Sequence, residues 1–272
     1  MKRKKLLRFF LRSIFAILAF LLLLIQQGGM GMLADHHMDT FFLQVFGGSL
    51  EPSSKDNNVI FAIFFFNIPW LLLLYVFAPL FQKDFEIQYV YVFTRVGSKQ
   101  KWLFQKTGAL FLQICLSWGL LFLLTIVVGA ALGCVWRGSA LLYIQIFTLE
   151  VLGLFTLSFA QNLLSMKLGI IQSYIVALCG YAVAIFAAVA FYRNESVSGW
   201  LFPLLPTAGQ MALWHADTAI LPETRQLFFT GAAGFQVWKS ILMDVAYIAV
   251  CYVAAACYLR KADLIDFVKE EN

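Results

Sequence analysis

Apolar positions gather into six long runs along this chain, separated by short polar or basic stretches. The runs are residues 13–33, 59–81, 108–132, 140–164, 170–191 and 240–259. A helix of about 20 residues, rising 1.5 Å per residue, crosses roughly 30 Å of hydrocarbon. The pattern therefore predicts an all-α integral membrane protein with six transmembrane helices. Within the second run, Asn67, Pro69 and Pro79 predict a kink or freed backbone carbonyls that a neighbouring helix must satisfy. Residues 34–57 read as an external loop, with Asp35, Asp39, Glu51 and Asp56 set against Lys55 alone. Residues 192–239 hold two shorter apolar pieces, 199–214 and 226–238, the first broken by Pro203 and Pro206. Pieces of this length predict an external re-entrant or interfacial hairpin before the sixth span. Trp200, Trp214 and Trp238 would sit at the headgroup level.

Charge orients these spans. The elbow between spans two and three carries Lys83, Arg95, Lys99, Lys101 and Lys106 against only Asp84 and Glu86. Positive charge beside a span is retained on the cytoplasmic side. With the elbow inside, 15 of the 20 Lys and Arg fall in cytoplasmic segments and both termini face the cytosol. The basic head, residues 1–12, resembles the start of a signal peptide, but no small-x-small cleavage site precedes Ala34. The expectation is an uncleaved first span.

Composition agrees: 61% of residues are hydrophobic, only 13% are charged, and mean hydropathy is +0.80. Soluble domains are nearer half apolar and a quarter charged. The net charge of +5 lies in clusters beside apolar runs, so it encodes topology and anionic-lipid contact rather than nucleic-acid binding. No separate soluble domain fits, and residues 1–272 read as one transmembrane domain. The five cysteines show no metal-binding or disulfide spacing.

Little in the sequence carries reaction chemistry. There is no phosphate-binding G-x-x-x-x-G-K-[ST], no G-x-S-x-G and no H-E-x-x-H. The doublet His36–His37 with Asp35 and Asp39 clusters possible metal ligands, but adjacent histidines on a loop need partners from elsewhere. A solvated loop is the expected reading, and His215 reads as an interfacial polar residue. No catalytic or metal-ligating set is assigned. Glu150 and Asp244 fall inside spans, where an ionisable group costs several kcal/mol unless it faces a bundle interior or cavity. They and Asn67 are candidates for a substrate path or gate; the alternative for both acids is structural hydrogen bonding. Gln161 and Asn162 read as interhelical glue, and Gly129 and Gly133 as a close helix contact.

The elbow is ambiguous. Phe85, Tyr89, Val92 and Val96 recur at helical spacing, whereas Phe85, Ile87, Tyr89, Tyr91 and Phe93 alternate as in a strand. A lone strand has no pairing partner at a membrane surface, so an amphipathic interfacial helix is expected. Gly97 would end it, Ser98 would cap the next helix, and Trp102 with Lys106 would anchor span three. Its aromatic richness suits a docking surface for a cytosolic partner.

This layout resembles the permease subunits of ABC exporters of the ABC-2 type. The run Thr94-Arg95-Val96-Gly97-Ser98-Lys99-Gln100-Lys101-Trp102, with Lys106, is similar to the family's basic and aromatic lead-in to its third span. The resemblance implies a bacterial plasma-membrane protein that pairs with a second permease, identical or different, and sits on a separate ATP-binding subunit. The coupling contact would be Phe85, Tyr89, Tyr91, Val92, Phe93, Arg95 and Ser98. ATP and Mg would belong to the partner subunit, this chain binding no cofactor and being no enzyme. The substrate implied is amphipathic or peptidic, as in export of, or immunity to, antimicrobial peptides such as lantibiotics. Competing readings are a membrane-embedded enzyme using His36, His37 or Glu150, a scaffold or sensor subunit, and a secondary transporter. Inverted repeats, which the last would favour, are not visible.

Overall fold

A computed structural model describes residues 17–18, 20–21, 37–48, 67–82, 98–193, 201–227, 232 and 234–261. Every regular element among them is helical. In chain order they are α1 (Met38–Phe46), α2 (Ile68–Phe77), α3 (Lys99–Ala131), α4 (Ala140–Leu168) and α5 (Ile170–Arg193). After two short 3₁₀ turns around α6 (Pro206–Gly209) come α7 (Pro222–Leu227) and α8 (Val237–Lys261). Four of these, α3, α4, α5 and α8, are long and apolar enough to cross a membrane, and α2 is a shorter apolar helix. This is a multi-pass membrane protein. Most of the first span, residues 59–66 of the second, and Phe85, Tyr89, Tyr91, Val92, Phe93 and Arg95 of the elbow lie outside the described residues.

The long helices match expectation in place but exceed it in length. Helix α3 begins at Lys99 rather than near residue 108 because Ser98 caps it, its hydroxyl accepting from Lys101 N–H at 3.2 Å. Its 33 residues span about 50 Å, more than the hydrocarbon, so its basic first turns project beyond it. Helix α4 runs on through Lys167 to Gly169, whose φ of +83° ends it and starts α5 in one residue. Trp102 does not anchor at a lipid surface as expected. It is buried, with its ring 5.6 Å from that of Phe81.

Helix α4 is the hub, packing against α2, α3, α5 and α8. Its polar end illustrates how. Pro79 follows the end of α2, and Asn162 of α4 meets the backbone groups there. The Asn162 side-chain N–H donates to the carbonyls of Phe77 (3.0 Å) and Ser158 (2.8 Å). Its oxygen accepts from Phe81 N–H at 3.1 Å. A neighbouring helix thus meets the backbone at the Pro79 turn, where Phe77 carbonyl also accepts from Leu80 N–H at 3.3 Å.

The largest departure is at residues 38–46. Expected within an external loop, they form α1, every residue of which is buried. Met38, Phe41, Phe42, Leu43, Val45 and Phe46 make the nine-residue helix mostly apolar, with Asp39, Thr40 and Gln44 buried beside them; it is too short to cross a bilayer but long enough to fill a bundle. The helix runs antiparallel to α3. Met38 N–H donates to Val135 carbonyl at 3.0 Å, Phe42 meets Phe122 with ring centroids 5.3 Å apart, and Phe46 meets Trp118 at 5.8 Å. Gly129 makes this possible: a Cβ there would lie 2.7 Å from Met38 sulfur. Gly133, its expected partner in helix packing, instead has φ +80° in the turn after α3.

Residues 202–215 also insert. Pro203 and Pro206 each start a short helical turn, which is where proline fits, and the segment packs among α4, α5 and α8. Trp214, expected at the headgroups, is buried, whereas Trp238 is half exposed. The two inserted segments touch at their tips: Leu213 N–H donates to Gly47 carbonyl at 2.8 Å. Gly48, at φ +103°, lies so close to Met211 that no side chain fits.

Candidate functional site

Where α2, α4, α5 and the inserted 202–215 segment converge, five polar or amphipathic side chains are buried together. Gln210 sits at the centre. Its side-chain N–H donates to the oxygen of Asn67 at 3.1 Å and to the hydroxyl of Tyr181. Gly153 of α4 lies beside Gln210 and Trp70, a Cβ there meeting each at an ordinary contact distance of 3.6 Å. The Trp70 ring lies 5.1 Å from that of Tyr181.

Glu150 completes the group, 3% exposed at one side of a cavity of about 20 Å³. The cavity is also lined by Asn67, Trp70, Trp118, Phe46 and Phe20. The indole N–H of Trp70 is the carboxyl's polar neighbour without closing to hydrogen-bond distance. The indole N–H of Trp118 also has no partner among the described residues. This space accommodates about one water-sized group, with a carboxyl and two indole donors to engage it.

The structure thus brings together two of the three predicted path residues, Asn67 and Glu150. Asp244 lies elsewhere, buried on α8 with the Thr156 hydroxyl as its polar neighbour. Tyr181 and Gln210 carried no signal in the sequence reading. Tyr181 sits in an apolar run, and Gln210 in a piece expected at the interface.

His215 holds the inserted segment in place and is not an interfacial residue. It is 1% exposed, stacked on Phe235 with centroids 4.0 Å apart. Its Nδ1 faces Met211 carbonyl at 3.0 Å and its Nε2 the Ser240 hydroxyl at 2.9 Å. A carbonyl can only accept, so Nδ1 carries the proton and Ser240 donates to Nε2. Desolvation by burial pushes its pKa down to about 4, so the ring is neutral at physiological pH. The turn after His215 is fastened by the Thr218 hydroxyl, which donates to Ala212 carbonyl (2.6 Å), and by Arg225, which donates to the carbonyls of Ala216 (3.1 Å) and Thr218 (2.8 Å).

The histidine doublet fares differently. His36 and Asp35 lie outside the described residues, and Asp39, far from solvated, is fully buried in the first turn of α1. One Asp39 oxygen accepts from the Thr224 hydroxyl at 2.9 Å. Among the described residues no three His, Cys, Asp or Glu gather as metal ligands. Ser98, of the expected coupling set, caps α3. Comparison with family models, curated proteins and solved structures finds no match to this chain.

Proposed function

We propose that this chain is the permease subunit of an ATP-driven exporter of the ABC-2 type in a bacterial plasma membrane. It has six spans with both termini in the cytosol, and works as a pair of permeases. A separate subunit supplies ATP and Mg, docked on Phe85, Tyr89, Tyr91, Val92, Phe93, Arg95 and the Ser98 corner. The substrate is amphipathic or peptidic. The observation that carries this reading is the buried polar cluster at Glu150, built partly from a broken segment before the last long helix. Polar groups inside a membrane bundle mark a path or a gate, and a segment broken at Pro203 and Pro206 can repack without unwinding a span. The absence of a phosphate-binding loop in the sequence fits a divided transporter. Closure of the partner on ATP would push the elbow and, through α3, the α1 and α4 contacts around the cluster.

Purification of the tagged full chain in mild detergent from its native host tests this. An ATPase that co-purifies, and is lost when residues 85–95 are deleted, is the expected result. Wild-type chain emerging alone, with no ATPase in any preparation, refutes it. A carrier driven by an ion gradient is the second reading, favoured by the carboxyl at the cavity. It predicts substrate uptake into vesicles without ATP.

A further inference from the structure

The geometry points to the Glu150 cavity as a binding site for a primary ammonium group, the charged head of an alkylamine or of a lysine-like side chain. Three observations converge. First, the one acidic group among the described residues lining the cavity is Glu150, buried and placed at the cavity wall, with the Trp70 indole as its polar neighbour. A carboxylate offers about four acceptor sites. The two indole N–H groups of Trp70 and Trp118, both unpartnered among the described residues, can occupy two of them and leave the others open.

Second, most of the remaining wall is aromatic, with Val45, Pro69 and the Asn67 side chain completing it. Phe20 and Phe46 stack with centroids 5.5 Å apart, and Phe46 meets Trp118 at 5.8 Å, so three ring systems form one surface beside the carboxyl. Ring faces attract cations, and the attraction grows when the cation is desolvated.

Third, size selects among cations. About 20 Å³ admits one water-sized centre. An –NH₃⁺ head is of that size, whereas a quaternary ammonium with its methyl groups is not. A buried, uncompensated carboxylate is costly, and an ammonium that hydrogen-bonds to it offsets the cost. No covalent step is involved. The inference does not depend on an ATP-binding partner, since it concerns equilibrium binding to this chain.

The test uses the purified full chain in lipid nanodiscs, titrated with n-butylammonium chloride while tryptophan fluorescence is followed. W70F and W118F identify the part of the signal that comes from the cavity. 1-Butanol controls for partition into lipid, tetramethylammonium for size, and potassium chloride for ionic strength. The expected result is a saturable change with butylammonium alone. In E150Q the midpoint should weaken by about tenfold or more, the loss expected for a charge-assisted hydrogen bond. E150D keeps the charge one methylene further back and should weaken it by a smaller factor, which decides the matter should E150Q not fold. Equal responses to butylammonium and butanol, saturation by tetramethylammonium at the same midpoint, or unchanged midpoints in E150Q or E150D would overturn the assignment.

Discussion

Glu150 and Asn162 lie on the same helix, both buried, and have opposite surroundings. Every polar atom of the Asn162 side chain that the backbone of α2 and α4 can reach is engaged: its nitrogen donates twice and its oxygen accepts once. Glu150 faces a cavity, with only unclosed approaches to it. A satisfied polar group in a bundle fixes geometry, and one left with free capacity has something still to bind. Burial alone does not distinguish the two.

The contrast can be broken by experiment, most severely at Asn162. N162L leaves Phe81 N–H without its partner in the core and takes from Phe77 carbonyl the shorter of two hydrogen bonds, Leu80 N–H remaining at 3.3 Å. Unmade buried bonds cost about 1–3 kcal/mol each, so the variant should lose about 3–4 kcal/mol of unfolding free energy, measured by denaturant titration in detergent. A loss below about 0.5 kcal/mol would show that Asn162 is not structural glue.

His215 belongs with Asn162, since both ring nitrogens are engaged. Its folded pKa of about 4 lies below the ordinary 6.5. The unfolded chain therefore takes up a proton on acidification before the folded one does. Stability contributed by the neutral ring is complete above pH 6.5 and falls as pH drops toward 4, by about 3 kcal/mol from that shift. Melting temperatures between pH 8 and pH 4 should show the fall, and H215F should flatten that part of the profile. A wild-type profile as flat as the variant's would place His215 in contact with water.

A smaller effect is expected at Gly48. G48A forces a side chain into a left-handed conformation against Met211 and should cost about 1–3 kcal/mol, read in the same denaturant assay. If its melting matches wild type, the two inserted segments do not meet as described. Smallest of all is E150Q, which removes a charge but no formed bond. Its stability should stay within about 1 kcal/mol of wild type, or rise, while ammonium binding weakens as predicted above. Destabilisation as large as that of N162L would erase the distinction between the two residues.

The sequence made α5 legible to within two residues at its far end, and the Ser98 cap and the interhelical role of Asn162 as well, though not the helix it meets. It also marked Asn67 and Glu150, because a polar group in an apolar run stands out. It did not reveal α1. FFLQVF is as apolar as a lipid-facing stretch, and hydropathy does not distinguish a protein interior from hydrocarbon. The acidic residues around it then read as loop. Trp102 and Trp214 misled for the same reason, an amphipathic ring being at home both at the headgroups and in a packed core. Tyr181 and Gln210 acquire meaning only from which neighbours the tertiary fold gives them.

The hydrogen bond from Gln210 to Asn67 spans 143 residues of chain, and this sets an order of events during biosynthesis. At about 5–20 residues per second, the ribosome delivers Gln210 on the order of ten seconds after Asn67. Until then Asn67, Trp70 and Glu150 lack the segment that covers them, and α1 lacks the partner for Gly47. The polar centre is therefore assembled late, after α2, α4 and α5 have been made and before α8. A nascent chain halted between residues 193 and 210 would hold its long apolar helices up to α5 and an open cleft where the cluster belongs.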